Sequence, residues 1–323
     1  MLSNQHALGR PDRSMPRHSI AKRISYFLQL WAWKTTVTFG MKVYRQLKPT
    51  YAEHRPVKIL AYSCRPHLHV RIFGAHAYKQ DGELLPLYLD CHGGGHTILD
   101  AEFDDEFCST FAMKLGIIVV SINYSLAPSH KFPIQTNDVV AIAQAVIDDP
   151  ALNIDKSRVV LGGFSAGGNL SISAAQVLGL REKLNGVVAW YPVMDFTLTP
   201  KEKQASRPYR HTEDLDDVKD FGPVLEWGYI PAGHDLKDPL LSTRFVKRND
   251  LPNWIYLVGA EYDMLADEAR QTAFDLAGLN TQERDDGIYE FEKDTIKWTL
   301  VRDVRQSVEA ITRIARLELG VFS

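Results

Sequence analysis

Gly163-Phe164-Ser165-Ala166-Gly167 stands between an apolar run, Val159-Val160-Leu161, and a run of small residues, Ser171-Ile172-Ser173-Ala174-Ala175. The first run predicts a buried strand and the second a helix. Glycines on both sides let the strand and the helix approach closely around a strained serine, whose hydroxyl is exposed at the helix N-terminus. Ser165 is therefore the candidate nucleophile. The alternative is a tight glycine-rich turn with an incidental serine.

A second glycine-rich stretch, Cys91-His92-Gly93-Gly94-Gly95-His96, follows the apolar strand predicted from Leu85 to Cys91. Backbone N–H groups of Gly93 and Gly94, together with that of Ala166, would form an oxyanion hole. A glycine-rich loop after a strand can also bind phosphate, but neither dinucleotide-binding nor P-loop spacing is present. We interpret His92 as a residue that braces the loop.

Outward from these two motifs, apolar strands alternate with helical patterns from about residue 56 onward. This alternation predicts an α/β fold with a mostly parallel, doubly wound sheet, in which both motifs lie at the carboxyl ends of strands. Residues 197–240 lose the rhythm and gain charge, which indicates a lid insertion. We therefore divide the chain into an N-terminal cap segment, 1–55, and a domain, 56–323, that carries both motifs and the lid insertion.

The N-terminal segment carries an apolar stretch, Ile24 to Trp33, that is preceded by basic residues and followed by Lys34 and a milder run to Met41. An amphipathic helix fits this pattern better than a signal peptide or a spanning helix. We expect it to cap the site. There are two alternatives. Residues 20–41 contact a membrane surface, or the segment forms a membrane anchor.

The composition argues against nucleic-acid binding. The net charge of −3 over 323 residues lacks the excess of basic residues that such binding requires. Three irregularly spaced cysteines, Cys64, Cys91 and Cys108, predict neither a disulfide framework nor a metal site and suit a reducing, cytoplasmic setting. Nothing in the sequence implies a cofactor, and the oligomeric state stays open.

The motifs His92-Gly93-Gly94-Gly95, Asn123 to Pro128, Phe132-Pro133 and Gly163 to Asn169 together resemble the hormone-sensitive-lipase-like branch of the α/β-hydrolases. The resemblance implies an α/β-hydrolase fold with a helical cap and a Ser–His–Asp esterase. It places the triad acid at Asp263, within Leu257 to Glu268. Glu261 is a weaker alternative for the acid, and Asp267 and Glu268 are expected to cap the next helix.

The same resemblance implies a histidine just after the last strand, Lys297 to Val301, where this chain has Gln306 by register. The eleven histidines end at His234. Glutamine cannot take the serine proton, and a triad without its base retains only about 10³–10⁴-fold catalysis over water. His96 or His130 could replace the base only from another part of the cleft.

Two function classes follow. The first is a carboxylic-ester hydrolase of the serine esterase or lipase type for a small or medium apolar ester, with secondary metabolism as one setting and with little turnover. The second is a catalytically inactive protein that binds a small apolar ligand in the same pocket, as in the plant gibberellin receptors, which resemble this branch and lack the histidine. A third interpretation is that the residues after Val301 differ from those of the natural protein.

Overall fold

The computed structural model describes residues 13–47, 54–74, 77, 83–206, 220–279 and 290–301. Its helices are α1 (Ile20–Leu47), α2 (Asp105–Leu115), α3 (Ile134–Ile147), α4 (Ala166–Ala175), α5 (Pro200–Ala205), α6 (Gly222–Tyr229) and α7 (Ala266–Leu276). Its strands are β1 (Lys58–Ala61), β2 (His69–Phe73), β3 (Leu85–Cys91), β4 (Ile118–Ile122), β5 (Ile154–Phe164), β6 (Gly186–Trp190), β7 (Trp254–Ala260), β8 (Glu290–Lys293) and β9 (Ile296–Val301).

The nine strands form one sheet in the order β1-β2-β4-β3-β5-β6-β7-β9-β8. Six neighbouring strands, β4-β3-β5-β6-β7-β9, are parallel, and antiparallel strands lie at the edges of this block. The parallel strands read as continuous apolar runs because both of their faces are covered. The predicted mostly parallel sheet is confirmed.

Helices cover both faces of the sheet. On one face α3, α4 and α7 pack over the larger apolar cluster, in which Leu161 and Trp298 are fully buried. On the other face α2 packs over a smaller cluster around Tyr88 and Trp190. The sheet is therefore doubly wound, and its carboxyl edge is left open for a site.

The helix after Ser165 and one edge strand differ from the sequence-based expectation. The helix after Ser165 ends at Ala175 rather than Leu180, because Gln176 and Val177 donate to carbonyls three residues back and tighten the last turn. The strand Glu290–Lys293 was not predicted. It lies at the edge of the sheet and pairs antiparallel with β9. Its charged residues are Glu290, Glu292 and Lys293.

The N-terminal helix is longer than its apolar stretch suggested and runs for 28 residues. One side of α1 contacts α6, where Leu30 lies against Gly228 and Trp33 stacks on Phe221 at 4.8 Å. Lys34 Nζ donates to the carbonyl of Ala127 at 3.1 Å. Within the described residues, no helix is both long and apolar enough to cross a membrane.

Candidate active site

Ser165 forms the turn between β5 and α4. Its φ of 52° lies in the left-handed region, which non-glycine residues rarely adopt. The turn is held from both sides, because the N–H of Ser165 donates to Trp190 O at 2.8 Å and the N–H of Asn169 donates to Ser165 O at 3.0 Å. This is the strand–turn–helix geometry that presents a serine hydroxyl at the top of the sheet.

The glycines of the turn make room for the start of the second loop. A Cβ on Gly167 would lie 1.9 Å from the carbonyl oxygen of Cys91, and a Cβ on Gly163 would lie 2.4 Å from the same atom. Both distances are far below contact. Any side chain at either position would therefore separate the serine turn from the predicted oxyanion loop.

The oxyanion loop closes on itself. Gly94 has a φ of 103°, and its carbonyl accepts hydrogen bonds from the N–H groups of Thr97 and Ile98, both at 3.0 Å. Within the described part of the chain, the N–H groups of Gly93, Gly94 and Ala166 have no acceptor. The Ala166 N–H belongs to the first turn of α4, where helical geometry leaves it without an acceptor. These three donors are thus available for a developing negative charge beside Ser165.

His92 and Tyr124 hold the base of this loop. Their rings stack at 4.2 Å with an interplanar angle of 8°, and Tyr124 Oη donates to His92 O at 2.9 Å. His92 Nδ1 lies 2.8 Å from the carbonyl oxygen of Gly93. Burial lowers the pKa of His92 to about 4, so the ring is neutral near pH 7. The geometry agrees with a bracing role for His92.

Asp263 lies in the turn after β7. Its N–H donates to Ala260 O at 3.0 Å, and its Oδ1 accepts from the N–H of Leu265 at 2.9 Å. Because β5, β6 and β7 are adjacent, Ser165 and Asp263 both follow the carboxyl ends of strands that lie about 10 Å apart. Burial, chiefly, raises the pKa of Tyr191 after β6, and the negative charge of Asp263 adds to the effect.

The other carboxylates near this turn have different surroundings. Glu261 is buried, and its N–H donates to Val301 O at 2.9 Å. Asp267 lies in the first turn of α7 and pairs with Arg270 at 2.6 Å. Glu268 lies in the same turn, but its side chain is directed elsewhere and does not cap the helix as expected.

Glu268 joins the lid to the sheet domain. Its Oε1 accepts from the N–H of Met194 at 2.6 Å, and its Oε2 lies 2.8 Å from Nζ of Lys203 on α5. Both side chains of this ion pair are almost fully buried. Lys203 lies in the charged segment that the sequence indicated as a lid, and its charge is buried.

The lid also reaches the oxyanion loop. A Cβ on Gly95 would lie 2.9 Å from Cδ1 of Leu225, which projects from α6. Leu225 therefore lies directly over the loop that carries Gly93 and Gly94. The sequence offered no signal for this contact, because the lid residues show no periodicity that fixes which side chain faces the site.

Only the sequence indicates which residue stands at the expected position of the base. β9 ends at Val301 beside Glu261, which brings the chain to the acid loop, and Gln306 lies outside the described residues. His96 is buried and stacks on Tyr229 at 3.8 Å, and burial lowers its pKa to about 3, too low for a base near pH 7. His130 is exposed at the surface.

Among the residues that the structure describes, no group of three or more His, Cys, Asp or Glu side chains could hold a metal ion. Cys91 and Cys108 are buried and Cys64 is exposed, all three as free thiols. The chemistry available at this edge is that of a serine, backbone donors and a carboxylate.

Comparison with known proteins places this geometry in a family. A family model for the alpha/beta hydrolase fold matches residues 88–285. An arylesterase of Saccharolobus solfataricus is 32% identical over 194 residues, covering 59% of this chain and 61% of the relative. Neutral cholesterol ester hydrolase 1 of Mus musculus is 34% identical over 148 residues, covering 42% and 36%.

The chain thus spans about a third to three fifths of the length of these relatives. Among solved structures, a hyperthermophilic esterase of Pyrobaculum calidifontis matches with a TM-score of 0.68 at 24% identity, covering 93% of this chain and 98% of that one. The fold agrees with these matches. The chain belongs to the α/β-hydrolase family, in its hormone-sensitive-lipase-like branch.

Proposed function

We propose that this chain is a serine carboxylic-ester hydrolase for a small or medium apolar ester, with slow turnover because Gln306 stands where the base is expected. The observation that carries the proposal is the strained turn at Ser165, with a φ of 52° and three backbone donors around it. The similarity to an arylesterase and to a cholesterol ester hydrolase supports an ester as the substrate class.

In the first step, Ser165 Oγ would attack the acyl carbonyl carbon. The carbonyl oxygen becomes negative and is stabilised by the N–H groups of Gly93, Gly94 and Ala166 and by the N-terminus of α4. The alkoxide then leaves with a proton, and water hydrolyses the acyl-serine to release the acid and regenerate the serine. No cofactor takes part.

Both half-reactions need a proton acceptor beside Ser165. Asp263 would orient a base on the chain after β9, but an amide side chain at position 306 accepts no proton. The proton therefore passes to water, and the expected rate is that of a triad without its base, about 10³–10⁴-fold over the uncatalysed reaction.

The test is hydrolysis of p-nitrophenyl acetate and p-nitrophenyl butyrate by the wild type, Ser165→Ala and Gln306→His. We expect a slow wild-type rate that Ser165→Ala removes and that Gln306→His raises by at least about 100-fold, the usual range for a positioned general base. A fast wild-type rate that depends on Ser165 would contradict the missing-base argument. His96→Ala, His130→Ala and His211→Ala would then locate the group that acts instead; His211 lies outside the described residues.

A second candidate function is binding without turnover, favoured by the absence of any histidine after His234. Wild-type protein that binds a non-hydrolysable phenyl ether analogue tightly, turns over neither ester and gains nothing from Gln306→His would support this function. A reducing, cytoplasmic location is part of either proposal, because the three cysteines are free thiols.

A further inference from the structure

The outer side of α1 is a continuous apolar face. Ile20, Ile24, Phe27, Leu28, Trp31 and Phe39 are each between 50% and 75% exposed. Their spacing of three, four or eight residues places them on one side of the helix, away from Leu30, which is buried against α6. Large exposed apolar patches on soluble proteins mark interaction sites. We call this set the α1 outer face.

The charge on α1 is of one sign. The helix carries Lys22, Arg23, Lys34, Lys42 and Arg45 and no acidic residue. The whole chain has a net charge of −3, so the helix contributes +5 and the rest of the chain −8. Five cations and no carboxylate thus lie on the helix that carries this exposed apolar face.

Two of these cations, Arg23 and Lys42, are exposed and make no ion pair in the described part of the chain. Arg45 pairs with Asp100 and Glu102, and Lys34 donates to Ala127 O. Lys22 Nζ instead lies 5.3 Å from the centre of the Tyr26 ring, which packs at 5.9 Å against Trp227.

A groove of about 560 Å³ opens on the same face, between α1 and Pro128. Phe27, Trp31 and Phe39 contribute apolar walls, and Lys34 and Lys42 are the charged residues among those that line it. These two lysines are eight residues apart, which is about 12 Å along a helix. An acyl chain with an anionic headgroup matches this combination of apolar wall and ammonium groups.

We propose that the α1 outer face docks on the surface of an anionic phospholipid membrane, with Phe27, Trp31 and Phe39 in the interface and Arg23 and Lys42 against the headgroups. Aromatic and cationic side chains arranged in this way are typical of helices that lie on a bilayer. A second copy of the chain is a poorer occupant, because two-fold pairing of α1 would bring two acid-free, five-cation helices together. The proposal does not depend on turnover at Ser165.

The test is flotation of the full chain with vesicles of phosphatidylcholine alone and with 30% phosphatidylserine. We expect binding to the anionic vesicles that weakens at high salt, and at least tenfold less binding to the neutral ones. Phe27→Ser/Trp31→Ser and Arg23→Gln/Lys42→Gln test the two components. Each surface cation contributes about fivefold to binding, so the charge variant should lose about 30-fold.

Matched controls carry the same changes elsewhere. Met113 and Leu178 are 65% and 69% exposed outside α1, so Met113→Ser/Leu178→Ser controls for lost surface apolarity. Lys156→Gln/Lys201→Gln controls for lost charge. All variants should unfold at the wild-type temperature, because the altered side chains are exposed.

Equal binding by the α1 variants and their controls would overturn the proposal, as would failure of the wild type to bind anionic vesicles. A dimer by light scattering that Phe27→Ser/Trp31→Ser converts to monomer would also overturn it and assign the face to a second copy. Intrinsic fluorescence separates these outcomes further, since a blue shift on vesicles that is lost in Trp31→Phe requires Trp31 in the lipid interface.

Discussion

Replacing Lys203 by methionine should destabilise the protein in a strongly pH-dependent way. The Nζ–Oε2 distance to Glu268 is 2.8 Å, and the two side chains are only 4% and 2% exposed. At an effective dielectric constant of about 20, this separation corresponds to a gross attraction of about 6 kcal/mol. Methionine keeps the length of the lysine stem beside Phe196 but removes the charge.

Protonation of Glu268 limits the cost. Burial raises the pKa of Glu268 and Lys203 opposes that rise, so the variant should hold this carboxyl protonated. For a group with an ordinary pKa of 4.5, taking up a proton costs about 4 kcal/mol at pH 7.5 and about 1.4 kcal/mol at pH 5.5. Breaking buried ion pairs costs about 3–5 kcal/mol in general, so we expect a loss of about 3–4 kcal/mol at pH 7.5.

The sign of the pH effect follows from proton counts. In the variant the folded protein keeps a proton on Glu268 that the unfolded chain releases above pH 4.5, so stability falls as pH rises through this window. Urea unfolding at pH 5.5 and pH 7.5 measures the difference. Lys201→Met, the same change at an exposed site on the same helix, should cost less than about 0.5 kcal/mol at both values.

Glu268→Gln in the Lys203→Met background should recover most of the loss at pH 7.5, because the amide oxygen still accepts from the N–H of Met194. An equal loss at both pH values would show that packing rather than charge is responsible. Lys203→Met behaving like Lys201→Met would refute the idea that this pair holds the lid to α7.

Two further changes test other parts of the site. Burial raises the pKa of Glu226 on α6 from 4.5 to about 7, so the folded protein binds a proton that the unfolded chain releases and wild-type stability falls between these pH values. Glu226→Gln should remove this fall and stabilise the protein by about 2–3 kcal/mol at pH 7.5, and a urea series over pH that stays parallel to the wild type would contradict this. Gly167→Ala should abolish Ser165-dependent p-nitrophenyl acetate hydrolysis and lower stability by about 1–3 kcal/mol or more. The reason is that its Cβ would lie 1.9 Å from the carbonyl oxygen of Cys91. Wild-type activity in this variant would show that the serine turn and the glycine-rich loop can separate without loss of function.

Local patterns were enough to predict the centre of this protein. The alternation of apolar strands and helical faces specifies a parallel sheet, and the strain at Ser165 is encoded by the glycines on both sides of it. The glycine-rich loop after β3 was predictable for the same reason, because backbone donors need only small residues at consecutive positions. These features depend on neighbours within a few residues, which a sequence states directly.

The remaining features depend on contacts between distant residues. Glu268 was expected at a helix cap, but the fold brings it to Lys203, 65 positions earlier, and buries both charges. His96 was a candidate base, and its burial in a stack on Tyr229, 133 positions later, was not predictable from its neighbours in the sequence. No local pattern records which residue lies opposite another across a lid.

The N-terminal helix also combines a feature that local sequence predicts with one that depends on distant contacts. The sequence determined that residues 20–41 form an amphipathic helix, because apolar side chains recur at helical spacing. Which side of this helix packs against the rest of the protein is seen only in the fold. Leu30 is buried against α6, while Trp31, one position later, remains 62% exposed. Successive helical residues point about 100° apart, so the choice of buried face depends on where the rest of the chain has folded.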